Sequence, residues 1–333
     1  MQRKKIQNRI CTSRMFLPVS VIVVLAFWWL PARKYDVSHA GSLALYLFTA
    51  YILRETSNIN SLIRVRARSV SAIWLFTVAC MGFLHPSHHL ATATACLAAS
   101  HLFLFRSYQE HQPVVDVFHS LVLLGTGSLF LPQLSWLMPF YFWYLIVFLR
   151  AFSFRVFCAG IIGFLLPAWL AMNICFLTGN TTTISEWWLK LTALQPISLD
   201  NYLHFSTDTL CSGWFFSWLL MGVLTLWCGT QYLANSYNDK IRTRMLLYIL
   251  VMQSTVIMVL TLLQPQYAKS MLTVLMVSSI PLIAHYFTLT TTWFASLVFG
   301  LSALGLTFIG VSTLSCNPIV TTFLQHIITK LNL

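Results

Sequence analysis

The chain has 333 residues, of which 58% are hydrophobic and only 8% charged. An ordinary globular chain is about a quarter charged, so this is no water-soluble domain and most of its outer surface faces lipid. The net charge of +12 does not point to nucleic acid, because no basic stripe accompanies an aqueous domain. Basic residues of membrane proteins gather instead in cytoplasmic loops.

The N-terminal stretch MQRKKIQNRICTSR precedes an apolar run over 16–30. A charged start and a short apolar core are features of a signal peptide, but the following LPARKYD lacks a small-x-small cleavage site. The segment is read as an uncleaved first span. Further apolar segments run near 39–53, 69–84, 88–105, 114–131, 133–149, 156–177, 211–233, 245–263, 270–286 and 291–312. Helices are the only spanning element that fits, since lipid offers no partner to backbone groups and no alternating barrel pattern is present. The expectation is an all-α polytopic transmembrane bundle of about eleven spans, within a range of about ten to twelve, with a cytoplasmic N-terminus. Few charges fix the spans around 264–290.

The charge distribution carries the orientation. With the N-terminus inside, fifteen of the twenty Lys and Arg fall in cytoplasmic segments: Arg3, Lys4, Lys5, Arg9, Arg14, Arg54, Arg64, Arg66, Arg68, Arg106, Arg150, Arg155, Lys240, Arg242 and Arg244. The loop over 178–210 then lies outside the cell. Its SEWWLKL segment, with Trp187 and Trp188 beside Glu186 and Lys190, is expected to form an interfacial helix in the headgroup plane. No repeat, linker or low-complexity stretch divides residues 1–333, so one integral membrane domain is expected.

Polar groups in or beside lipid are costly and become functional candidates by default. Asp36 and His39 follow the first span on the outer side. A carboxylate at that surface is placed to act as catalytic base on an acceptor hydroxyl while a lipid phosphate leaves; the plain alternative is a solvated charge beside Arg33 or Lys34. His85, His88 and His89 surround Pro86 and are candidate metal ligands, although a tight turn is the favoured reading and neither metal nor cofactor is called for. Asp200, His204 and Asp208 recur every four residues and share one face of a helix. They are candidates to bind a headgroup or carry protons, against the alternative of an amphipathic helix's wet side. Asp116 and His119 lie one turn apart at the cytoplasmic end of the fifth span, with Arg150 and Arg155 at the next cytoplasmic turn as expected partners. Asn173 and Gln253 suit interhelical hydrogen bonds. Gly125, Ser128, Gly160, Gly163, Ser296 and Gly300 suit close helix approach.

The stretch FRSYQEHQPVVDVFHSLVLLGTGSLFLPQL, followed by LRAFSFRVFCAGIIGFLLPAW, resembles an uncharacterised family of multispanning inner-membrane proteins from Bacteroidetes. The likeness covers residues 105–170 and rests on Asp116, Ser128, Leu129, Phe130 and Pro132, then Arg150, Arg155, Gly163 and Pro167. His119 departs from it, standing where the pattern has a small residue. The resemblance implies a Gram-negative inner membrane and brings no established activity. Acidic and His groups gathered outside, beside a Trp-rich loop, suggest a role in cell-envelope assembly. The expected function is a glycosyltransferase-like or accessory protein handling polyprenyl-linked sugars at the outer face of the membrane. The alternatives are a secondary transporter of a small solute, which predicts buried mid-membrane charges, and a structural subunit of a membrane complex.

Overall fold

The computed structural model describes residues 6–29, 37–64, 68–180, 182–194 and 213–315. These residues hold thirteen α-helices and no strand. In order they are α1 (Ile6–Thr12), α2 (Phe16–Trp29), α3 (Val37–Ile59), α4 (Ser69–Cys80), α5 (His88–Arg106), α6 (Val114–Phe130), α7 (Met138–Val147), α8 (Phe154–Leu177), α9 (Thr182–Thr192), α10 (Trp214–Asn235), α11 (Ile241–Leu263), α12 (Ala268–Leu289) and α13 (Trp293–Ser315). Four helices are long and apolar enough to cross a membrane: α8, α11, α12 with its preceding turn, and α13. The molecule is therefore an all-helical protein suited to a lipid bilayer.

The bundle is organised around α12. Every side chain from Met271 to Thr288 is buried, and α10, α11, α5, α4 and α1 all pack on it. A helix that is apolar on every side belongs inside a bundle or in lipid, and here its neighbours supply the cover. Two of its hydroxyls are tied within the bundle: Ser278 accepts a hydrogen bond from Ser254 of α11 at 3.0 Å, and Thr288 donates to the Ala284 carbonyl at 2.6 Å. The last carbonyls of a helix lack intrahelical donors. In α12 they receive them from α1, where Asn8 donates to Thr288 O at 2.8 Å and Gln7 to Thr290 O at 2.6 Å.

A second group stacks α3, α5, α6 and α8 side by side, with α2 on α4. The α6–α8 contact is closest because glycines remove the side chains between the helices. A Cβ on Gly163 would meet the Phe118 carbonyl oxygen at 2.7 Å, and one on Gly125 would strike the Phe164 carbonyl. Small residues drive helix association in lipid by this kind of backbone approach. By contrast, only 17% of the apolar window of α8 is buried against 94% for α12, so α8 is an outer helix.

Contacts between turns sort into two sets, one at each end of the bundle. At the end that carries α1, the turn after α3 meets the start of α11, through Arg242 to Asn60 and Thr243 to the Ser61 carbonyl. There too the Gln109 N–H donates to the Leu149 carbonyl. At the other end, α9 is held by its carbonyls. Gln133 donates to Lys190 O, and Trp136 and Gln264 both donate to Leu191 O. Trp187 in turn donates to Ser128 O at 2.8 Å.

Gly163→Ala is expected to lower stability by about 1–3 kcal/mol, the usual cost of overpacking, because a backbone carbonyl cannot swing aside as a side chain can. Gly300, with nothing within 4 Å of an added Cβ, is the control, and Gly300→Ala should be neutral or better. Thermal unfolding of the detergent-solubilised variants measures both; equal loss in the two would contradict the close-approach account.

Candidate functional site

A polar cavity among the described residues opens at the α1 end, with a volume of about 440 Å³. Three chain segments build it. The turn after α3 brings in Arg64; Ser61 there adopts a left-handed conformation at φ 48°, which reverses the chain, and the Arg242–Asn60 and Thr243–Ser61 bonds hold the turn in place. The link from α10 to α11 brings in Asp239 after a single 3₁₀ turn over Ser236–Asn238. The penultimate turn of α12 brings in His285. Gln231, Tyr232, Asn235 and Asn238 from α10 and its end, with Thr290–Thr292 after α12, complete the wall.

Asp239 is the pivot. One carboxylate oxygen lies 2.8 Å from Arg64 Nε and the other 3.1 Å from His285 Nε2, while its side chain is only 4% exposed. Burial alone raises a carboxyl's pKa. Here His285 and Arg64 outweigh it, and the Asp239 carboxyl is held below its usual range. The imidazole of His285 lies close to the carboxylate but off its N–H direction, so Nε2 lacks an aligned hydrogen bond. The Tyr232 ring stands edge-on to His285 at 5.2 Å, and its buried hydroxyl has no partner. Arg64, half exposed, keeps guanidinium donors beyond the Nε that Asp239 takes. Arg242 and Arg244, with exposed Lys240, follow Asp239 directly in the chain. The site thus pairs its one carboxylate internally and offers amide, hydroxyl and guanidinium donors to whatever enters. Chemically that is a receptor for an anion.

A second polar cluster is closed off inside the bundle. His101 Nε2 of α5 lies 2.7 Å from Gln253 Oε1 of α11, both fully buried. Beside it, Ser100 bonds to Ser120 and to the Tyr141 hydroxyl at 3.0 Å. These bonds tie α5, α6, α7 and α11 together in a medium where unpaired polar groups are costly. Gln253 was expected to bridge helices and does so; Asn173 instead bonds back to Trp169 O within α8.

The residues singled out from sequence are distributed differently. Asp36, Asp200, His204 and Asp208 lie outside the described residues. His39 sits at the end opposite the cavity, its carbonyl accepting from Trp28 Nε1 at 3.1 Å and from Ser42. His85 turns inward there: its ring stacks on Trp28 at 3.9 Å, and its Nε2 lies 3.4 Å from the Val78 carbonyl. His88 and His89 form a ring pair at the start of α5. Among the described residues no three His, Cys, Asp or Glu side chains converge, so these three histidines are not brought together as a ligand set. Asp116 and His119 share α6, but His119 faces outward against Phe103 and Phe118. Arg150 and Arg155 are exposed, and among the described residues neither pairs with Asp116. The expected partnership is absent because α6 turns the His119 face away from the bundle.

Asp239 and His285 escaped the sequence analysis. Asp239 sits in SYNDKIRTR, which has the look of a solvated turn, and Arg64 was counted only as a topological charge. His285 did carry a signal, being an ionisable residue near the end of an apolar run. Compared with models of known protein families, with curated proteins and with solved structures, the chain matches none.

Burial of the His85 ring makes stability depend on pH. Desolvation drives its pKa down from 6.5 to about 4, against the opposing hydrogen bond with Val78. A depressed pKa means that the folded protein resists protonation, so its contribution is complete above about 6.5 and is lost as pH falls towards about 4. Melting temperature should therefore drop between pH 7 and pH 4.5, and His85→Gln should flatten that drop. An unchanged pH profile in the variant would contradict the burial of a neutral imidazole.

Proposed function

We propose that this is an eleven-span protein of the bacterial inner membrane, N-terminus in the cytoplasm, that binds a phosphate-bearing substrate at the cytoplasmic end of its bundle. The observation that carries the reading is the cavity formed by Arg64, Asp239 and His285, with its unpartnered Tyr232 hydroxyl and its amide and hydroxyl wall. A neutralised carboxylate that fixes an arginine, with Lys240, Arg242 and Arg244 following in the chain, suits an anion in a partly dry pocket. The service we assign to it is cell-envelope assembly, as a transferase-like or accessory protein. The resemblance to inner-membrane proteins of Bacteroidetes supports the location.

Several features support the topology. The turns that touch at the α1 end are those whose basic residues mark them as cytoplasmic, including Arg64, Arg242 and the Asp239 link. The turns that hold α9 belong to the opposite side. Short helices are lengthened by their flanks. The ten residues of α7 follow directly on a six-residue 3₁₀ helix, Pro132–Leu137; at about 1.5 and 2.0 Å per residue the pair reaches roughly 27 Å, close to the ~30 Å hydrocarbon core.

Transport is the second reading, favoured by one observation: His285 of the central helix and Asp239 of the α10–α11 link form a buried, ionisable pair. Both groups stand at an end of the bundle rather than midway, which suits a headgroup or phosphate site better than an alternating-access site.

Two measurements test this. Eleven spans require that reporters fused to the N- and C-termini fall on opposite sides of the membrane; reporters on the same side would refute the count, and an N-terminal reporter outside the cell would refute the orientation. Calorimetry on the purified protein should detect butyl phosphate binding that Arg64→Gln weakens about 10- to 100-fold, the span expected for one charge-assisted contact. Absent binding, or binding indifferent to Arg64, would overturn the site.

A further inference from the structure

A second cavity, of about 200 Å³, lies along the same helices and is almost wholly apolar. Its walls include Phe76 and Thr77 of α4, Leu224 of α10, Phe287 of α12, and Phe299 and Ala303 of α13. Its hydroxyls are already spent on their own helices, Thr77 on the Ile73 carbonyl and Ser302 on the Phe299 carbonyl, so nothing in it asks for a polar guest. An apolar cavity of about 150 Å³ already takes up benzene in preference to water.

The two cavities follow one seam. On α10 the apolar residues Met221 and Leu224 and the polar residues Gln231, Tyr232 and Asn235 succeed one another at helical spacing on a single face. Leu224 and Gln231 are separated by about 10 Å along the axis. The same order holds towards α13, where Thr290–Thr292 line the polar cavity and Phe299 the apolar one. Between the two stands an aromatic group: Trp227 of α10 donates its indole N–H to the Tyr286 hydroxyl at 3.2 Å and packs on Phe294 at 5.1 Å.

A seam that is apolar in its length and cationic at its bundle end matches one kind of occupant. Resting on the phosphate-site reading above, we infer that the substrate is a single-chain lipid phosphate, its hydrocarbon chain in the α4–α10–α13 cleft and its phosphate at Arg64. The charge complementarity is local. Arg64 lines the polar cavity, and Lys240 and Arg244 follow next to Asp239, whereas the apolar cleft has no charged residue in its wall. Trp227 and Tyr286 then mark the junction of chain and headgroup, the position aromatic side chains favour where apolar and wet surroundings meet.

The test compares butyl phosphate, farnesyl phosphate and farnesol on the purified full chain. Farnesyl phosphate should bind at least tenfold tighter than butyl phosphate, and farnesol, which lacks the anion, should bind no better than butyl phosphate. Ala303→Trp, which fills the cleft, should erase the advantage of farnesyl phosphate and leave butyl phosphate binding unchanged, which also shows that the variant is folded. Thr77→Phe fills the cleft from the opposite wall and should do the same. Equal affinities for the two phosphates, or an advantage that survives both variants while butyl phosphate still depends on Arg64, would overturn the lipid-chain inference and leave the phosphate site standing. If neither phosphate binds, the site and the inference fall together.

Discussion

A helix surrounded by other helices has neither water nor lipid headgroups to satisfy its polar atoms, and α12 is in that position from Met271 to Thr288. Several distant segments of the chain are placed by this constraint. Ser254 of α11 must meet Ser278, and α1 must fold back so that Asn8 and Gln7 reach the carbonyls at the C-terminal end of α12. His285, one turn from that end, needs a carboxylate, and the link between α10 and α11 delivers Asp239 to it. Asp239 then needs a cation to offset its desolvation, which Arg64 supplies from the turn after α3. A buried charge is tolerated when paired and expensive when alone, so the three groups hold three distant parts of the chain in one place.

The same pairing explains why the cavity suits a ligand and is not merely a structural ion pair. Asp239 is spent on its neighbours, while the Tyr232 hydroxyl has no partner and Arg64 stays half exposed. A site whose acceptor is already neutralised and whose donors are unsatisfied is preorganised for negative charge. Helices α10 and α12, which carry it, also line an apolar cleft.

How much of this was legible in the sequence differs from element to element. The helical class follows from composition, since a chain with so few charges must hide its backbone in lipid. The packing role of Gly125 and Gly163 was readable from residue size. The difference between α8 and α12 was not: both are long apolar runs, yet one is mostly exposed and the other almost entirely enclosed, because cover by lipid and cover by protein leave the same hydrophobic signature. The site was hidden for a related reason. Charge counting gave Arg64 a topological task and left Asp239 and His285 without any, and only the meeting of residues 64, 239 and 285 shows that they share a cavity. His85 was noticed, but its proximity in sequence to His88 and His89 suggested a ligand set, whereas Trp28 draws its ring into the bundle instead.

The account stands or falls on where an anion binds. A cryo-electron microscopy map of the protein in nanodiscs, prepared with farnesyl phosphate, decides this most directly. The account predicts phosphate density within hydrogen-bonding reach of Arg64 in the cavity of Asp239 and His285. Density at the opposite end, beside His39 and His88, with none at Arg64, would contradict it.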